Sequence, residues 1–229
     1  MNASLSENLL ERLNARLSRL WKDPGDQALA ENTIRALDAQ YALGKKIAEE
    51  HGVAEIVTQM FGRLANSFER LAGLQGKSIL DIACGSITSQ APGSLFIDTP
   101  FGQMTVGRAK TGYTAQFEPW FCRILLALGA NPVGVDKGDL DREAFTHYRL
   151  DLGKTGALDF LTDHSFDAVQ DSRLFGSPEF TAQFQNLADH VKVAQEIVRQ
   201  EHRLLKAGGV IIHSDARALL ASRSHFEAA

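Results

Sequence analysis

Cysteine is scarce in this chain: Cys84 and Cys122 are the two in 229 residues, far apart and in no C-x-x-C or Cys/His pattern. That excludes a disulfide framework and a zinc-ligand spacing. No apolar run approaches the length of a bilayer span, and Met1-Asn2-Ala3-Ser4 lacks a basic start followed by an apolar stretch. Neither membrane insertion nor secretion is expected, and the cytoplasm is the expected compartment. Charge of one sign is missing too. Lys plus Arg number 24 against 28 Asp plus Glu, a net charge of −4 that offers no global attraction to nucleic acid or anionic lipid, so neither is an expected partner. What remains is ordinary globular composition, 44% apolar and 23% charged, in a chain long enough for one α/β domain with a helical extension.

Residues 1–77 carry apolar side chains at three- and four-residue spacing and read as three helices. Ser4 with Glu7 forms a capping-box pattern ahead of Leu9, Leu10, Leu13, Leu17 and Leu20, so the first helix covers about residues 5–22 and stops near Asp23-Pro24-Gly25. A second pattern runs from Leu29 through Tyr41 and Ile47 to Gly52, and a third from Val53 to Leu71. At Ser78 the period changes. Ser78-Ile-Leu-Asp-Ile-Ala83 is a short apolar run entering a turn at Cys84-Gly85, as a buried strand would. Further strands are predicted at 132–136, 146–151, 166–171 and 209–215, with helical patterns between most of them, including one starting at Ser177-Pro178-Glu179 and ending at Lys206. This alternation predicts an α/β fold: a doubly wound, mostly parallel, Rossmann-like sheet of five core strands over residues 78–229, preceded by the N-terminal helical segment 1–77. Residues about 86–117, rich in Gly and Pro, read as an insertion, with a hairpin over 94–98 and 103–106 and the composition of a lid that orders over a ligand.

In an open parallel sheet, ligands bind beyond the carboxyl ends of the strands, so the residues that close each strand are the candidates. Asp81 sits inside the first apolar strand, where a carboxylate needs partners. Asp136 ends the second strand, where a carboxylate can accept both hydrogen bonds of a ribose diol. Asp151 ends the third, where it or the adjacent backbone could meet an exocyclic amine, or where it could equally cap a helix begun at Leu152. The residues Ile79-Leu-Asp-Ile-Ala-Cys-Gly85, Val133-Gly-Val-Asp136, Leu150-Asp151, Phe166-Asp-Ala-Val169 and Leu204-Leu-Lys-Ala-Gly-Gly-Val-Ile-Ile212 resemble, in that order, the class I S-adenosylmethionine-dependent methyltransferases. The resemblance implies S-adenosylmethionine as cofactor, with Asp81, Ala83 and Gly85 at its methionine end, Asp136 on the ribose hydroxyls, and Asp151 and Leu152 beside the adenine. It departs from the family's D-x-G-x-G-x-G loop in having Ala83 at the first glycine position and Ile87 at the third. Ala83 reads as an easy substitution, whereas Ile87 implies that the chain leaves the strand differently and that the first crossover helix is displaced to about 118–128.

Methyl transfer is an in-line displacement that asks for alignment first and for a base only when the acceptor arrives protonated. Asp171 and His213, at the ends of the fourth and fifth strands, are the catalytic candidates, with Asp171 also a candidate cofactor contact; Arg173 and Asp215 lie near them. Two carboxylates at Asp171 and Asp215 make a weak metal site, and no metal is expected. The expected partner is a small-molecule acceptor. The alternative is a non-catalytic cofactor-binding or scaffold protein of the same fold. Few residues follow the fifth strand, so its open edge makes a homodimer a further expectation.

Overall fold

The computed structural model describes residues 7–87, 90–91, 95–99, 102–107, 112–171, 174–175, 180, 183–184 and 186–213. The N-terminal segment forms four helices: α1 (Glu7–Leu20), α2 (Pro24–Tyr41), α3 (Leu43–Glu49) and α4 (His51–Ser67). Asp23 caps α2, its carboxylate accepting the amides of Gly25 (2.8 Å) and Asp26 (3.2 Å), with Pro24 in the first turn where its missing N–H costs nothing. The second apolar pattern, read as one helix, is two. Ala42 adopts a left-handed conformation (φ 53°) that ends α2 and starts α3, a break that apolar periodicity alone does not reveal.

Five strands make one parallel sheet: β1 (Ser78–Ile82), β6 (Asn131–Asp136), β7 (Thr146–Arg149), β8 (Phe166–Asp171) and β9 (Leu205–His213), in the order β7-β6-β1-β8-β9. This is the doubly wound, Rossmann-like arrangement that the alternating pattern predicts. The chain leaves β1 toward β6 and β7 on one side, then returns to place β8 and β9 on the other, so β1 and β8 flank the switch point. The segment between β1 and β6 carries two antiparallel ribbons. In one, β2 (Gln90–Ala91) pairs with β5 (Gly112–Tyr113); in the other, β3 (Leu95–Thr99) pairs with β4 (Gly102–Gly107), matching the predicted hairpin. Helix α5 (Trp120–Ala127) follows, as the displaced-helix reading expects. Between β7 and β8 the chain makes turns instead of a helix.

Helix α6 (Leu187–Leu204) links β8 to β9. Its described start is later than the predicted one, because Asn186 caps it: the side-chain oxygen accepts the Asp189 amide at 2.9 Å. The predicted start at Ser177-Pro178-Glu179 lies outside the described residues, as do Arg173, Asp215 and the chain beyond His213.

Alternation along the strands sorts side chains into two cores. Ile79, Ala168 and Ile212 join a core with α1 through α5, including Leu17, Ile34, Phe61 and Trp120. Leu80, Ile82, Val135 and Val169 join the other core with α6, through Ile197, Val198 and Leu204. The N-terminal helices therefore share their core with one face of the sheet.

Candidate active site

The parallel register brings the carboxyl ends of all five strands to one edge of the sheet. Beyond β1 the backbone turns sharply. Ala83 takes φ 59° and Gly85 φ 89°, both left-handed. Ala83 is thus not the easy replacement that the sequence reading made it: its Cβ is held where glycine would be unstrained, at a cost of roughly 1–2 kcal/mol. Gly85 has no alternative, since a Cβ there would lie 2.1 Å from the Phe117 carbonyl oxygen. That same carbonyl accepts the Ser86 amide at 3.0 Å, so residues 84–86 are seated on the backbone of Phe117 and Glu118.

Asp136, the last residue of β6, reaches across to this loop. One oxygen accepts the Gly85 amide at 2.9 Å and the other the Gly138 amide at 2.7 Å. Burial raises its carboxyl above the ordinary range, and the amides of Gly138, Gly85 and Lys137 pull it part of the way back. Gly138 sits close against the loop, with Ser86 Oγ 1.9 Å from where its Cβ would be, so this contact admits glycine only.

Asp81 lies one residue before the end of β1 on the face toward α5, fully buried. The Cys122 thiol donates toward one of its oxygens at 3.6 Å, and the Gln170 amide of β8 approaches the other at 3.5 Å. Burial pushes the Cys84 thiol up to about 11 and raises the Cys122 thiol well above its ordinary range, so both cysteines are protonated fillers and not nucleophiles. Asp151 makes a turn, accepting the Gly153 amide at 3.2 Å, and is half-buried; no helix begins there for it to cap. Leu152 is buried in the α6-side core and lines a cavity of about 410 Å³ with Lys154, Val193 and Ile197.

Asp171, fully buried at the end of β8, is in register with Ile82 of β1 and His213 of β9. His213 closes β9, and its side chain lies outside the described residues. Facing Asp171 from α6 is Glu201, fully buried, with no hydrogen-bond partner for either oxygen among the described residues. Burial first, and the Asp171 charge second, hold its carboxyl well above the ordinary range.

A charged quartet next to the loop was absent from the sequence reading. Glu118 accepts from Lys46 Nζ of α3 (2.6 and 2.5 Å) and from Arg123 of α5; Arg123 also donates to Glu143 from Nη2 (2.6 Å) and Nε (3.1 Å). Arg123 lies against both Tyr41 and Trp120, 4.0 and 4.7 Å from their ring centres. Burial lowers the affinity of its guanidinium for the proton, and Glu143 and Glu118 outweigh that, leaving it above its ordinary value. One sequence signal does exist: Arg123 interrupts the apolar run Trp120–Leu128, and a cation there must be buried with a partner. Glu201 has a similar one, falling on the stripe of Ala194, Ile197, Val198 and Leu204. No group of three or more His, Cys, Asp or Glu among the described residues could hold a metal ion.

No protein-family model matches this chain, and no curated protein matches it. One solved structure does. The CurJ carbon methyltransferase aligns over 93% of this chain and 55% of its own, with 11% sequence identity and a TM-score of 0.39, a likeness too distant to speak for function. The chain spans a little over half the length of that protein.

Proposed function

We propose that this chain is an S-adenosylmethionine-dependent methyltransferase acting on a small-molecule acceptor. The observation that carries the reading is Asp136. It closes the strand beside the central one, and its two oxygens accept the amides of Gly85 and Gly138, which fixes the carboxylate at the strand ends between two glycine-bearing turns. With the Lys137 amide also directed at it, the carboxylate keeps acceptor capacity for one ribose hydroxyl without surrendering the Gly85 or Gly138 amide. This donor set fits the cofactor that the sequence resemblance implies.

When bound, S-adenosylmethionine supplies a methyl group on a sulfonium centre. In this reading Asp136 orients the ribose, Asp151 and Leu152 flank the adenine, and the turn Ala83-Cys84-Gly85 approaches the methionine end with Asp81 beneath it. In the same reading Asp171 would take a proton from the acceptor, and His213 closes the neighbouring strand in register with it. Alignment at the strand ends supplies most of the acceleration in a displacement of this kind.

Calorimetric titration with S-adenosylmethionine tests the proposal. Saturable binding is expected, weakened by about 1.5–3 kcal/mol in Asp136→Ala, the scale of hydrogen bonds to a charged group. Absence of binding to the unaltered chain removes the reading. One observation favours a second reading, a cofactor-binding protein without turnover: Asp81 is fully buried and engaged by Cys122 and Gln170. Binding with no methyl transfer to any of a panel of hydroxyl, amine and carbon acids supports that alternative.

A further inference from the structure

Two ties run from α3 to the segment just before α5. Lys46 holds the buried Glu118 carboxylate with both contacts at hydrogen-bond distance, and Glu50, the residue that ends α3, accepts the Thr114 hydroxyl at 2.5 Å and the Ala115 amide at 3.3 Å. Residues 114–118 are therefore clamped at both ends by one short helix of the N-terminal segment. On the other side of this segment stands the loop after β1. The Phe117 carbonyl accepts the Ser86 amide and is the atom that forbids a Cβ at Gly85. Arg123 completes the clamp from α5, tying Glu118 to Glu143 in the connection between β6 and β7.

Buried ionic groups of this kind stabilise little over apolar packing of the same volume, because desolvation offsets most of their attraction; their best-attested use is to fix a register. Apolar side chains at the four positions would fill the space without choosing where the 114–118 backbone sits. The charges choose.

We infer that Lys46 and Glu118, with Glu50 and Arg123, are positioning residues for the cofactor loop: the N-terminal helices set the height of residues 84–86 over the strand ends through the Phe117–Glu118 backbone. This rests on the S-adenosylmethionine reading given above. It makes α3 part of the binding machinery through residues 114–118.

The test uses the full chain with Lys46→Met, and with Lys46→Arg as the conservative variant. Three quantities are read: S-adenosylmethionine affinity, the urea unfolding midpoint, and hydrogen exchange of the Ser86 amide against the Val198 amide in α6. Lys46→Met is expected to weaken affinity by about tenfold, within the range for groups that act through a neighbour. Ser86 exchange should quicken while Val198 is unmoved, and Lys46→Arg should restore both affinity and protection. Unchanged affinity and unchanged Ser86 exchange overturn the inference. So does equal acceleration at Ser86 and Val198, which marks a general loss of stability. If the unaltered chain binds no S-adenosylmethionine, the functional reading fails separately. Selective Ser86 exchange in Lys46→Met then still supports the clamp, and its absence overturns it.

Discussion

Ala83 and Gly85 share a turn and a left-handed backbone, yet they should respond in opposite directions to exchange. Ala83→Gly releases roughly 1–2 kcal/mol of strain against a smaller gain in unfolded-chain freedom, so the urea midpoint should hold or rise slightly. Gly85→Ala drives a methyl into the Phe117 carbonyl and should cost more than about 2 kcal/mol by the same measurement. Glu201 carries a different kind of strain. Its folded-state carboxyl binds a proton well above the ordinary value of 4.5, so the folded chain holds a proton that the unfolded chain releases. Stability from this group is fully present below about pH 4.5 and is lost as the pH rises toward its folded value, at up to about 1.4 kcal/mol per pH unit. Glu201→Met, apolar and of similar length, should flatten this fall above about pH 4.5 in urea titrations. An unchanged slope would mean that Glu201 does not carry the proton.

Helices in this chain are bounded by side chains that the sequence displays, but their breaks depend on single backbone choices. Asp23-Pro24 starts α2 by a legible rule, and Asn186 starts α6 by the same rule. Asn186→Ala should lower thermal stability by about 1 kcal/mol, the usual loss when a capping oxygen is removed. A calorimetric change much smaller than that would show that the first turn of α6 is held by packing instead. The break at Ala42 was not legible, because alanine is a strong helix former and nothing local asks it to turn left-handed. Its neighbours explain it: the Asp38 carboxylate accepts the Gly44 amide at 2.8 Å, and Leu43 and Ile47 are buried only if α3 changes direction. The displaced α5 could be read because Ile87 occupies a position where the usual loop has glycine. What displaces it, the two ribbons between β1 and α5, was visible only as one hairpin.

Across the whole molecule, the N-terminal helices and the sheet share buried residues from Leu13 to Ile212 in one core. A shared core of this kind couples their unfolding. Far-ultraviolet circular dichroism and tryptophan fluorescence, the latter reporting Trp21 and Trp120 in that core, should give coincident urea transitions. Two separated transitions would show that the helices are an independent unit.

By itself the sequence determined the class of fold and the strand-end carboxylates. Buried strands are short apolar runs, and a glycine or aspartate at their ends is a local signal; β1, β6 and β8 were therefore placed to within a residue, and Asp81, Asp136 and Asp171 with them. The partners of those carboxylates were decided only by tertiary structure. Gly85 meets Asp136 across 51 positions and Lys46 meets Glu118 across 72, and no periodicity encodes such a pairing. Which side of β8 Asp171 takes, and that Glu201 waits there, follows from strand alternation once the sheet order β7-β6-β1-β8-β9 exists. Local chemistry specifies the elements; desolvation then forces each buried charge to find a partner or give up its charge, and only the packed chain determines which.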